Sequence, residues 1–128
     1  MNYIKTYQNK IIISKDKTLK IYKTTFNEYI NKILIKSLTT MNGRIDAVKD
    51  KYHIYKLVPI YLNKEICLVP LFNLNNETNI YINVNKVKKV IDYIDYSLIV
   101  FIDLEEIYIK VKANTLKKKI RKALNIMI

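Results

Sequence analysis

Almost every residue type that this chain uses sparingly falls between Leu38 and Phe72, and that stretch limits what the rest can build around it. LTTMNGRIDAVKDKYHIYKLVPIYLNKEICLVPLF holds the single Gly, both Pro, the single Cys, the single His and one of two Arg. A chain with one Gly in 128 residues keeps it where the backbone needs freedom of φ or close approach by another group, which marks Gly43. Beside it, Arg44 offers a planar five-donor fork where Lys would offer a point charge. Two readings stand for the pair: a contact element for a ligand, or a helix junction with a solvated Arg.

With half of its residues apolar, a chain of this length builds one core, so residues 1–128 are expected to form a single domain. No window reaches 18 uncharged apolar residues, and MNYIKTYQNK lacks a signal peptide's apolar core. The expectation is a cytoplasmic protein with no membrane partner. Cys67, between Ile66 and Leu68, reads as a buried reduced thiol. The net charge of +12 points to a polyanion. An AT-rich genome would favour Lys, Ile, Asn and Tyr without any function, but it would not deplete acidic residues to 11.

The fold class read from the pattern is α+β, mainly antiparallel β, with a helix near 26–38 and a C-terminal helix near 114–126. Residues 1 to 23 read as two strands in a hairpin turning at Asp16-Lys17. Thr25 and Glu28 form a capping box, followed by Phe26, Ile30, Ile33, Leu34 and Leu38 on one helical face. A shorter helical pattern runs from Asn42 to Tyr52 through Ile45 and Val48. Leu57–Leu62 and Ile66–Phe72 read as a hairpin around Asn63-Lys64-Glu65, with Pro59 and Pro70 at strand ends. The polar run 73–79 reads as a loop. Strands are expected at Tyr81–Val84, Val87–Ile94, Ser97–Ile102 and Glu106–Val111, the last two turning at Asp103-Leu104-Glu105. Asn114 is the expected cap of the final helix, whose face is Leu116, Ile120, Ala123, Leu124 and Met127.

That helix carries Lys117, Lys118 and Lys119 in what the pattern makes its first turn, then Arg121 and Lys122. Cations there oppose the helix dipole, so stability does not explain them. Two readings stand: a phosphate seat at the helix N-terminus, or a solubilising polar face. A sole His and a sole Cys assemble neither a His-based triad nor a zinc site, and no phosphate-loop or zinc-protease motif occurs. Asp103, Glu105 and Glu106 read as solvated turn residues. An enzyme is not expected, nor a cofactor or metal.

The central stretch resembles the ComK family of competence transcription factors. Thr39-Thr40-Met41-Asn42-Gly43-Arg44 is similar to that family's small-small-aromatic-x-Gly-Arg element, with Met41 in place of the aromatic. Val58-Pro59-Ile60, then Ile66-Cys67-Leu68-Val69-Pro70, is similar to its Pro-Ile strand and the following strand ending in Pro. Tyr81-Ile82-Asn83 through Val87, Leu98 to Val111, and Asn114 to Lys122 are similar to the strand after its polar loop, its final hairpin and its basic helix. The likeness runs over roughly residues 37 to 124. The family's Phe-Pro-Thr stands here as Val69-Pro70-Leu71, and no Gly occupies the turn at Asp103-Leu104. Family members also carry a longer C-terminal tail for proteolytic control than the sequence shows after Lys122. Residues 81–124 are similar as well to the end of a LytTR-type DNA-binding domain.

The ComK resemblance implies a sequence-specific activator of DNA-uptake genes. It would bind double-stranded, AT-rich promoter boxes largely through the minor groove as a homo-oligomer, with RNA polymerase as a further partner and a nucleoid-associated location. Another basic nucleic-acid-binding domain, LytTR-like or RNA- or ribosome-associated, is the alternative. The expected DNA contacts are Asn42, Gly43, Arg44 and Lys49 in the central stretch and Lys86, Lys88 and Lys89 after the polar loop. Lys117, Lys118, Lys119, Arg121 and Lys122 complete the set on the last helix. Arg44 suits a minor groove narrowed by A-tracts, where negative potential is enhanced and a weakly hydrated guanidinium enters more readily than an ammonium.

Overall fold

Strand alternation puts two sets of apolar residues on opposite faces of one large sheet, and that division organises the molecule. The computed structural model describes residues 1–72 and 78–127. Strands β1 (Tyr3–Tyr7), β2 (Lys10–Lys15) and β3 (Thr18–Tyr22) lead into helix α1 (Phe26–Leu34) and helix α2 (Met41–Tyr52). Strands β4 (Ile60–Asn63), β5 (Ile66–Pro70) and β6 (Thr78–Asn83) complete an antiparallel sheet in the order β3-β2-β1-β6-β5-β4. A second antiparallel sheet, β7 (Val87–Asp92), β8 (Ser97–Phe101) and β9 (Glu106–Ile109), precedes helix α3 (Ala113–Ile126).

On one face of the large sheet Ile4, Ile11, Ile13, Ile60, Leu68 and Tyr81 meet Phe26, Ile30 and Leu34 of α1 and Met41, Ile45 and Val48 of α2. Phe26 stacks on Tyr81 with ring centroids 3.7 Å apart. The neighbouring positions Tyr3, Cys67, Val69 and Ile82 point the other way, as a period of two demands. They meet Ile99, Phe101 and Ile109 of the small sheet and Leu116 and Ala123 of α3. Each large side chain so enclosed contributes about 1.5–3 kcal/mol. Burial in this layer pushes the Cys67 thiol up to about 12, so it stays protonated.

The α+β class and the last-three-strand meander are as the pattern implies, and Thr25 does cap α1, accepting from the Glu28 N–H at 3.2 Å. Several boundaries differ. The N-terminal 23 residues form three strands rather than two, because Gln8 takes a left-handed φ of 53° and turns the chain after Tyr7. The first helix stops at Leu34 instead of reaching Leu38. A 3₁₀ turn at Ile35–Ser37 follows it, and Leu38 is left-handed at φ 58° and 94% exposed rather than on the core face. Strand β4 starts at Ile60, after Leu57 at φ 48°, and β5 ends at Pro70. Of the loop expected at 73–79, residues 73–77 lie outside the described residues, while Thr78 and Asn79 open β6. Val84 belongs to a 3₁₀ turn, not to the strand before it.

Asn114 does not cap the last helix. Lys112 stands at the N-cap without a side-chain bond, α3 starts at Ala113, and Leu124 is exposed. Asp103 and Glu105 are part-exposed turn residues, as read, but they also bind across to the large sheet. Both accept from the buried Asn2 side chain, and Glu105 accepts also from Ser14 Oγ and Tyr3 Oη, tying the small sheet to β1 and β2. In that turn Leu104 adopts φ 74° and is 63% exposed, doing the conformational work that the missing Gly would do. Since an L side chain in this region costs about 1–2 kcal/mol, Leu104→Gly is expected to raise stability by about 0.5–1 kcal/mol in urea denaturation after the entropic loss is counted.

Candidate nucleic-acid interface

The first turn of α2 presents the Gly-Arg element. Thr40 is its N-cap, and its Oγ1 accepts from the Gly43 N–H at 3.1 Å. Gly43 is helical with negative φ, so the expected need for backbone freedom is absent. A Cβ there would come within 3.3 Å of Thr39 Oγ1 and Thr40 Oγ1, so its absence gives the capping hydroxyl of Thr40 and its Thr39 neighbour room. Asn42 and Gly43 are exposed, whereas Arg44 is half-buried with its guanidinium carbon 5.7 Å from the centre of the Tyr61 ring. That contact sits in a crevice shared with Lys51 of α2 and with Ile126 and Met127. Arg44 therefore packs on β4 as well as carrying charge.

Helix α2 ends at His53, a left-handed cap at φ 55° whose N–H donates to the Lys49 carbonyl at 3.0 Å. Its Nδ1 lies 3.2 Å from Tyr55 Oη, and both residues are exposed. Lys49 and Lys51 in the last turn complement the negative helix end. The connection after His53 crosses toward α3 and forms two adjoining grooves. In one, of about 590 Å³, Lys49 and Lys56 stand over Ile45, Leu57, Leu71 and Phe72. In the other, of about 300 Å³, Lys56, Lys119 and Lys122 surround Leu57, Pro59 and Val69. Lys56 and Leu57 belong to both, and among the described residues no carboxylate lines either.

Three consecutive helical residues span about 200° of the helix surface, so the lysine run cannot act as one face. Lys119 is half-buried and lines a groove together with the exposed Lys122 one turn on, while Lys117, Lys118 and Arg121 are exposed outside it. Burial lowers the Lys119 pKa, so this ammonium lacks full hydration. Because α3 starts at Ala113, the run lies in the second turn, and the expected N-terminal phosphate seat is not built from it. The helix start adjoins Asp92, Tyr93 and Ile94 instead, and Asp92 would repel an anion.

Lys86 is half-buried in the 3₁₀ turn at Val84–Lys86, where its carbonyl accepts from the Ile102 N–H at 2.9 Å. Lys88 and Lys89 are exposed on β7 at a register shift. None of these three lines the two grooves. The structure thus joins Lys49 with Lys119 and Lys122 and leaves the other expected contacts outside. Lys56 was not among the expected contacts. No local motif marks Lys56; only the crossing of residues 53–59 between α2 and α3 gives it neighbours.

Among the described residues, no group of three or more His, Cys, Asp or Glu could hold a metal ion, and no helix is long and apolar enough to cross a membrane. Basic grooves with apolar floors on an α+β scaffold define a class of domain suited to a polyanion. A family model described as ComK protein matches residues 1–128, the whole chain, beyond the 37–124 span of the motifs, and the chain belongs to the ComK family of competence transcription factors. Comparison with curated proteins and with solved structures gives no match.

Proposed function

We propose that this protein is a competence transcription activator that binds double-stranded, AT-rich promoter DNA, with the two grooves between α2 and α3 holding the sugar-phosphate backbone. The observation that carries the reading is the convergence of Lys49, Lys56, Lys119 and Lys122 on walls that hold no carboxylate among the described residues. Ammonium groups meet the phosphates there, and the apolar floors take the deoxyribose rings. Asn42, Gly43 and Arg44, exposed or half-exposed at the start of α2, are the candidate readers of the minor-groove floor. Lys117, Lys118 and Arg121 extend the phosphate contacts, and Lys86, Lys88 and Lys89 form a second basic patch for a bent or longer site. A homo-oligomer on paired boxes, recruitment of RNA polymerase and a nucleoid location in the cytoplasm complete the proposal.

Selection of bound sequences from random duplex DNA tests it, with an AT-rich motif expected; recovery of no motif would overturn sequence-specific reading. If about five phosphates are neutralised, log K falls with log salt at a slope near −4 to −5. Arg44→Ala is expected to cost about 1–3 kcal/mol on the selected sequence and much less on unrelated duplex. Lys118→Ala weakens both and reduces the slope by about one. Should Arg44→Ala bind the selected site as wild type does, its role is the contact with Tyr61, and the reader lies elsewhere, first around Asn85 to Lys89.

A further inference from the structure

The two edges of the large sheet are treated in opposite ways. At the β4 edge Ile60 and Leu62 are buried, Arg44 lies over Tyr61, and Ile126 and Met127 share the crevice beside it. At the other edge, all five residues of β3 are exposed, with Leu19 at 61% and Ile21 at 66%. Asp16 and Lys17 have φ of 51° and 62°, the two-residue hairpin geometry that closes on the pair Lys15 and Thr18. Antiparallel pairs alternate between bonded and non-bonded, and the closing pair of such a hairpin is bonded. Thr18, Lys20 and Tyr22 therefore bond inward to β2, and Leu19 and Ile21 direct their N–H and C=O groups away from the sheet. The same two residues carry the exposed apolar side chains. Tyr22 is already engaged, 6.1 Å from the Tyr29 ring of α1.

We infer that the β3 edge is a docking site for an extended segment of another protein, in which apolar residues alternate with acidic ones. Such a segment adds a seventh strand: its backbone bonds Leu19 and Ile21, and its apolar side chains cover theirs. Charge selects the partner. Lys15, Lys17, Lys20 and Lys23 flank the edge, and Asp16 in the turn is the one acid among residues 15–23. A second copy is disfavoured for the same reason. The antiparallel register that pairs all five residues of two β3 strands brings Leu19 opposite Ile21, but it also sets Lys20 against Lys20 of the other copy. Duplex DNA, which would use the lysines, has no use for two outward amides and two aliphatic side chains. This inference does not rest on the DNA-binding reading.

The probe is a synthetic peptide of about seven residues alternating valine with glutamate, titrated into the full chain and followed by anisotropy and by amide exchange. Binding with slowed exchange at Leu19 and Ile21 is expected. A peptide of the same composition in scrambled order, and one N-methylated on alternate amides, should each bind about tenfold more weakly, since two backbone bonds are lost in the second case. Lys20→Glu with Lys23→Glu should weaken the glutamate peptide and admit its lysine counterpart, a reversal that mere loss of folding cannot produce. Equal affinity for ordered, scrambled and N-methylated peptides overturns the proposal, as does no binding at all. Protection of Leu19 and Ile21 that grows with protein concentration alone would replace it by a second copy, and protection by duplex DNA would replace it by a polyanion.

Discussion

Glu105→Ala is expected to destabilise the protein by about 2–4 kcal/mol, seen as a lower urea midpoint at unchanged slope. Glu105 is the acceptor for Ser14, which has no exposed surface, and for Asn2 and Tyr3, which have almost none. Removing the carboxylate leaves the Ser14 hydroxyl and the Tyr3 phenol without this acceptor, each loss costing about 1–3 kcal/mol where the group stays unpaired. Asn2 keeps its two 3.0 Å bonds to Asp103, so the loss is not total. Glu105→Gln retains one acceptor and should recover about half. A wild-type midpoint for Glu105→Ala would mean that the Glu105 bonds add nothing to the apolar contact and the Asn2–Asp103 bonds that remain.

The same tie has a pH signature. Asp103 accepts from the Glu105 N–H and from Asn2, which hold its carboxyl below the ordinary carboxylate range. A folded pKa below the unfolded one stabilises the fold above the unfolded pKa, and that contribution is lost as pH falls through the folded value. The stability difference between wild type and Asp103→Asn should therefore be largest near neutrality and vanish in acid, as a urea series across pH would record.

Removing Lys49, Lys56, Lys119 and Lys122 together, each to Ala, is expected to lower affinity for duplex DNA by about 10²–10³-fold and to reduce the salt slope by about three to four. The control removes equal charge from exposed sites elsewhere, Lys5, Lys10, Lys32 and Lys36. Both variants carry the same net charge, so a difference between them measures the grooves and not the overall field. Equal losses would assign binding to the field alone. Circular dichroism of both variants checks folding, and Lys119, whose ammonium is partly desolvated, should gain stability on becoming Ala.

Local signals made much of this fold legible. The Thr25 cap, the alternation in β9, the Phe26, Ile30 and Leu34 face of α1 and the Leu116 and Ala123 face of α3 depend on residues a few positions apart, and they appear as read, without Leu38 and Leu124. Failures cluster where left-handed residues are not glycine. With one Gly in the chain, the turns at Gln8, Leu38, Leu57 and Leu104 use side chains that carry no turn signal, so three of the misplaced element boundaries lie beside them. The candidate site was legible as charge but not as place. Lys119 and Lys122 were visible in a basic run, yet nothing local tells Lys119 from Lys118, since facing a groove depends on what packs beside the helix.

By itself, the sequence determined the class of domain, its positive charge, the order of its elements from α1 onward and its kinship with the ComK family, because these rest on composition, short periodicities and motif order. Tertiary structure alone decided that Lys56 meets Lys119 and Lys122, that Glu105 locks two sheets, that Arg44 lies on Tyr61, and that β3 is bare while Ile60 and Leu62 of β4 are buried. Each of these joins residues separated in the chain, and such neighbours are chosen by how layers pack over the two faces of one sheet.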